Sequence, residues 1–243
     1  MTGRSRGASA ATAEPAGADP MALVRLLQLA SPALPIGAYS YSQGLEWMIE
    51  SREILDAASA GRWIGDMLEH VVANGDAAVL WRLLHARASG DAGRFCDWSA
   101  WHRASRESRE SRAETEQMGA SLVLLATEIG ILDDESLALA RSVAPITLPA
   151  AFALAAHASS IGPEAALAGY LSGWLENQVL AVVKALPLGQ IAGQRLLHAL
   201  GGRIPAIVAR MRTLSDDEVT SFAPGFALAS IRHETQYSRL FRS

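Results

Sequence analysis

The side chains whose types and spacing could do chemistry are two acidic pairs, six histidines and a His-Glu step close to the C-terminus. His233-Glu234 opens like the zinc-binding helix of metalloproteases, but position 237 is Tyr where a second histidine ligand belongs. Asp133-Asp134 and Asp216-Asp217 resemble the start of aspartate-rich magnesium sites. Neither continues with another Asp two residues on, and both stand where acids open a helix, so an N-terminal capping role is expected. The histidines at 70, 85, 102, 157, 198 and 233 form no local pair on one helix face, and Cys96 is the single cysteine. Gly189 and Gly193 lack the spacing and the lysine of a nucleotide-binding loop, and no Gly-x-Ser-x-Gly elbow occurs. No metal site, no cofactor and no catalytic set is therefore expected.

Other segments are more informative. On a helix of 100° per residue, Tyr237, Leu240 and Phe241 share a face with His233 and Glu234, while Arg232, Gln236, Arg239 and Arg242 fall on the other side. So short a segment needs something to pack on. Either it docks on the chain's own core, or its aromatic and cationic side chains meet a partner. Lys184, in LAVVKALPLGQ, has no acid at i±3 or i±4, so it either snorkels over apolar surface or serves a contact surface. Asn177-Gln178 suit interhelical hydrogen bonds. The segment 31–46, SPALPIGAYSYSQGLE, pairs two prolines with two glycines and must hold one shape. It is either a structural turn or a binding loop carrying Tyr39 and Tyr41. In 102–118, Glu107, Glu110 and Glu116 follow Arg103, Arg106 and Arg112 at i+4, as on a solvated helix face or a polar partner surface.

Helical periodicity positions all of these. Asp19-Pro20 starts a helix that stops at Ser31-Pro32, and Ser40 with Gln43 suggests a capping box for the next. Further helices are expected over about 56–73, 76–89, 91–113, 114–129, 133–143, 149–160, 163–185, 188–200 and 204–213. Asn74-Gly75, Gly90 and several prolines punctuate them. The expectation is one all-α domain of roughly ten helices over 20–231, a disordered extension over 1–19, and a partner-docking tail over 232–243.

Bulk properties narrow the classes. The 243 residues are 50% hydrophobic and 19% charged, with a formal net charge of −4, which is unlike a disordered chain and gives no basic stripe for nucleic acid. Every apolar run is broken before 18 residues, and residues 1–19 have no apolar signal core, so a cytoplasmic protein is expected.

Taken together, LLQLASPALPIGAYSYSQGLE, SRESRE followed by EQMG, WLENQVLAVVKALPLGQIAGQRLL and RHETQYSRLFRS resemble the UreF family of urease accessory proteins, in order across residues 21–243. The chain departs from the family pattern at Ala113 and Thr115, and no role is carried to those positions. The resemblance implies a non-catalytic, all-α homodimer. It would join UreD (also called UreH) and the GTPase UreG in the complex that delivers nickel to apo-urease. It also implies partner-surface roles for Tyr39, Lys184 and Arg239, with Arg239 either supporting phosphoryl transfer like an arginine finger or ordering the interface through an ion pair. An effect on GTP turnover by UreG is the second reading. An unrelated helical small-molecule binder is the third, and it requires a pocket with convergent polar groups.

Overall fold

The computed structural model describes residues 19–242. Asp19 accepts the Met21 amide at 3.0 Å and Pro20 takes the first helical position, so α1 spans Pro20–Ala30 as its capping residues dictate. A short 3-10 turn (Ala38–Ser40) precedes α2 (Leu45–Glu50). Then come α3 (Ala57–Asp66), a π-helical stretch (Met67–Ala77) and α4 (Ala78–Ser89), which run on without a break. The remaining helices are α5 (Ala92–Ala104), α6 (Arg109–Glu128), α7 (Asp134–Ser142), α8 (Leu148–Ala158), α9 (Pro163–Ala185), α10 (Gln190–Gly201), α11 (Ile204–Met211) and α12 (Pro224–Glu234). No strand occurs among the described residues, and the chain is one all-α domain. None of its helices is long and apolar enough to cross a membrane.

The core forms around α8, whose sequence is apolar all round and which buries every residue from Ala150 to Ala156. It packs against α4 and α6 on one side, and α9 carries α1, α10 and α11 on the other. Gly119 sets the α6 approach, because a Cβ there would lie 2.5 Å from the Ile146 carbonyl oxygen.

Four local expectations are corrected. The Ser40–Gln43 capping box does not form. Ser40 ends the 3-10 turn, Gln43 (φ 54°) and Gly44 (φ 76°) carry the chain through left-handed backbone, and Gly44 caps α2. Asn74-Gly75 does not end a helix. The Asn74 side chain donates to the His70 carbonyl at 3.0 Å, while its own carbonyl accepts from Thr220, and the wider π turn accommodates both. The arginine-rich run is cut over 105–108, which separates Arg103 from Glu107 and Arg106 from Glu110; Arg112 and Glu116 share α6, yet none of the three i+4 pairs forms an ion pair among the described residues. Arg103 pairs instead with Glu116, and Arg106 with Asp76. Finally, α12 stops at Glu234, so the last residues do not continue as a helix with one aromatic face. The disordered extension expected over 1–19 lies outside the described residues apart from Asp19.

Candidate partner-docking site

The tail is held where α2, the start of α6 and the end of α12 converge. Gly44 makes this convergence possible. A Cβ on it would stand 3.1 Å from the Ala229 Cβ, so α12 rests directly on the turn into α2. Ser108 caps α6 by accepting the Ser111 amide, and its hydroxyl lies 2.7 Å from that of Ser230 on α12. Three residues further along α12, the His233 ring is fully buried. Its Nδ1 lies 3.1 Å from Glu110 Oε2 and its Nε2 lies 3.1 Å from Glu46 Oε2. The Glu234 carboxylate accepts the Glu110 amide at 3.1 Å, which ties α12 to the first turn of α6 a second time.

Beyond α12 the chain folds back over the same carboxylates. Gln236 donates to Glu50 and to the Ser238 carbonyl. Arg239 donates to Glu110 Oε1 at 2.6 Å, to the Gln236 carbonyl and to the Glu234 carbonyl. The amides of Leu240 and Phe241 both donate to Glu46, and the Arg242 amide donates to the Ser40 carbonyl at 2.7 Å. Glu46 is only 7% exposed yet accepts from His233 and from two backbone amides, which compensates the cost of its burial. Phe241 is 5% exposed, with the Lys184 ammonium 4.8 Å from its ring centre.

The expected site residues therefore divide. His233 and Phe241 face inward, and Arg239 and Gln236 brace the turn between them. Tyr237 and Leu240 project outward, Tyr237 fully. Arg232, Lys184 and Tyr39 are also exposed, Tyr39 next to the Ser40 carbonyl that receives the tail. Glu234 sits between the two sets, its side chain on α6. The Tyr41 side chain instead points inward and donates to Gln117 at 2.8 Å. Burial pushes its hydroxyl pKa up, a shift partly offset by Arg242. Glu46, Ser108 and Ser230 are not singled out in the sequence, and Glu110 is expected there only on a solvated helix face or a polar partner surface. Their partners lie more than a hundred residues away; the Ser-Arg-Glu and Gly-Leu-Glu strings contain Ser108, Glu110 and Glu46, and no motif contains Ser230.

A cavity of about 100 Å³ lies beneath this region, lined by apolar side chains and by Gln43, Asp76, Arg106, Glu114, Tyr170 and Trp174. Its polar groups face one another. Gln43 donates to Glu114 and accepts from Trp174, both at 2.7 Å. Asp76 accepts from Arg106 at 3.1 Å, His102 at 3.2 Å and Tyr170 at 3.3 Å. Burial alone would raise Asp76, but Arg106 and His102 hold its carboxyl well below the usual carboxylate range. Burial and then Arg106 lower His102, while burial and then Asp76 push Tyr170 well up. Asn177 also joins helix to loop, donating to the Tyr41 carbonyl at 3.3 Å, whereas the buried Gln178 amide nitrogen finds no partner among the described residues. Sequence reasoning named no such pocket, because its polar lining comes from the π-helical stretch, α6, α9 and the loop together. Among the described residues no three His, Cys, Asp or Glu side chains converge on a metal position. Glu46 and Glu110 sit at opposite nitrogens of the His233 ring and share no centre.

Residues 54–201 match the UreF family model. The chain belongs to the UreF family. The urease accessory protein UreF of Dechloromonas aromatica (strain RCB) is 50% identical over 225 residues, covering 91% of this chain and 97% of that protein. The UreF of Azoarcus sp. (strain BH72) is 52% identical over 223 residues, covering 91% and 95%. In Bordetella bronchiseptica a bifunctional urease accessory protein UreEF is 47% identical over 224 residues, and the matched region is 52% of its length. The family model covers α3 through α10 but not α2 or the tail. The matches to these UreF relatives are longer than that segment and so extend beyond it.

Proposed function

We propose that the chain is a non-catalytic scaffold of urease maturation, joining UreD (UreH) and the GTPase UreG in the assembly that passes nickel to apo-urease. The observation that carries this reading is the tail, anchored from within by Glu46, Glu110 and Lys184 while it displays Tyr237 and Leu240. Apolar and aromatic side chains held rigid at an exposed edge are what a partner can bind without a large ordering cost. Tyr39, Lys184 and Arg232 extend the same face as its exposed rim. Fusion of a relative to UreE supports action within a multi-component apparatus. A homodimer working in the cytoplasm fits this role.

Arg239 bears on the alternative, in which the chain regulates GTP turnover by UreG. Its guanidinium already serves Glu110 and two carbonyls, so we assign it to bracing the tail and not to a transferring phosphoryl group. The test is co-expression with UreD and UreG, followed by size-exclusion chromatography of the full chain and of a form ending at Gln236. That form keeps α12 and His233 in place. Assembly by the full chain alone is expected. Equal assembly by both forms would remove the tail from the function.

A further inference from the structure

We propose that the cavity walled by the π-helical stretch, α6 and α9 is a binding site for a small uncharged molecule that presents one carbonyl oxygen. Helical spacing sets its walls. Met67, Val72 and Asp76 follow one another at four or five residues, so the wider turn of the π-helical stretch brings them to one side. Ser111, Thr115 and Met118 stand three or four residues apart on α6, as do Tyr170 and Trp174 on α9. Phe152 joins them from α8, edge-on to the Tyr170 ring with the centres 5.3 Å apart.

One donor of this lining is unmet. Arg106 is 11% exposed; its Nη1 donates to Asp76 at 3.1 Å and its Nη2 lies 3.4 Å from the Ser105 hydroxyl. Its Nε is buried and has no partner among the described residues, and no other buried side-chain nitrogen or oxygen of the lining is left so. Gln43, Trp174, Asp76 and Tyr170 are engaged with one another or with Glu114. An N–H buried without an acceptor is costly, so an oxygen that reached it would be held.

The charge of the molecule carrying that oxygen is constrained. Asp76, kept ionised by Arg106 and His102, would repel an anion placed beside it, and the guanidinium would repel a cation. Water meets the demand poorly. A volume of about 100 Å³ would seat about three waters, each making about three hydrogen bonds. Most of the wall is Leu29, Ile36, Met67, Val72, Met118 and Phe152, which offer none. An apolar body with a single acceptor suits both the wall and the Nε–H. Since a cavity of about 150 Å³ takes benzene, this one takes about four to six non-hydrogen atoms.

The site is independent of the scaffold reading, and its test uses the full chain without partners, so its failure is separate from failure of assembly. The methyl resonances of Met67 and Met118 and the Arg106 Nε–H resonance are followed by NMR at about pH 7, with the exposed Met21 methyl as reference. Cyclopentanone, isobutyrate and isobutylammonium, each of about five or six non-hydrogen atoms, are titrated in turn. Cyclopentanone is expected to move both methyls and the Nε–H along one saturating curve while Met21 holds, with a midpoint on the order of 1 mM. The two charged probes are expected to bind at least about tenfold more weakly, because each must bury its charge. Val72→Phe fills the cavity and is expected to remove the response to cyclopentanone. Should that variant not fold, the three probes on the native chain decide alone. The site would be overturned if cyclopentanone gave no saturating shift, which would leave water as the occupant. Methyl shifts without the Nε–H, equal binding of a charged probe, or an undiminished response in folded Val72→Phe would overturn it as well.

Discussion

The Lys184 ammonium lies 4.8 Å from the centre of the Phe241 ring, so the long helix α9 secures the end of a chain that begins its last fold nearly sixty residues later. This answers where the charge of a lysine without local acids goes. Among the described residues it pairs with no carboxylate and instead covers the buried Phe241 ring of the tail. A cation–π contact at such a partly exposed position contributes about 0.5–1 kcal/mol. Lys184→Met is therefore expected to raise the exchange rate of the Phe241 amide by about two- to fivefold at neutral pH while leaving the helical signal unchanged. An unchanged rate would make the contact incidental.

Gly119 tests the packing of the core. An alanine there would place its Cβ 2.5 Å from the Ile146 carbonyl oxygen and 2.6 Å from the Thr147 carbonyl carbon, both backbone atoms that cannot rotate away. Gly119→Ala is expected to cost on the order of 1–3 kcal/mol as α6 is pushed off the turn into α8. Thermal denaturation should register this as a lower Tm, by about 2–4 °C per kcal/mol for a domain of this size.

The acid response of the core follows from two buried groups, His102 and Asp76. His102 is lowered, first by burial and then by Arg106, and Asp76 is lowered because Arg106 and His102 outweigh its burial. For both groups the unfolded chain binds its proton at higher pH than the folded one. His102 begins to act as pH falls through about 6.5 and Asp76 as it falls through about 3.9. Stability is thus full at neutral pH and decreases with acid in two stages. Urea denaturation between about pH 7 and about pH 5 should show a falling midpoint. His102→Asn keeps a donor toward Asp76 without titrating and should flatten that first stage. A midpoint that rises with acid would contradict the assignment.

How far the sequence reveals this architecture depends on whether the signal is local. Pro163 at the start and Pro187 just beyond the end delimit α9 at 163–185, and Asp19-Pro20 opens α1 where the capping rules put it. The all-α class follows from periodicity alone. Ser40 and Gln43 carried the right residue types for a cap, but Ala229 and Ser230 pack against Gly44 and dictate a left-handed turn there instead. Asn74-Gly75 reads as a stop, yet tertiary hydrogen bonds through Asn74 to Arg210 and Thr220 carry the helix through it in π form. The tail shows the same division. Its residues stand out by composition, and Phe241 and Arg239 are among the candidates that composition picks out. That they turn inward on Glu46 and Glu110 is not legible there, because those acids lie more than a hundred residues upstream.

The most direct measurement of whether the docked tail is the recruiting surface is the capture of UreD and UreG by a chain carrying Tyr237→Ala and Leu240→Ala together. Both side chains are exposed and neither anchors the tail through its own atoms, so circular dichroism, Tm and protection of the Phe241 amide should stay at native values. Loss of about 2 kcal/mol or more of binding, a drop in affinity of about thirtyfold or greater, is expected if they are anchor residues. Size-exclusion chromatography at low micromolar concentration would then show the partners eluting apart from the chain. Undiminished co-elution, with the tail still docked, would contradict the proposal that this surface recruits them.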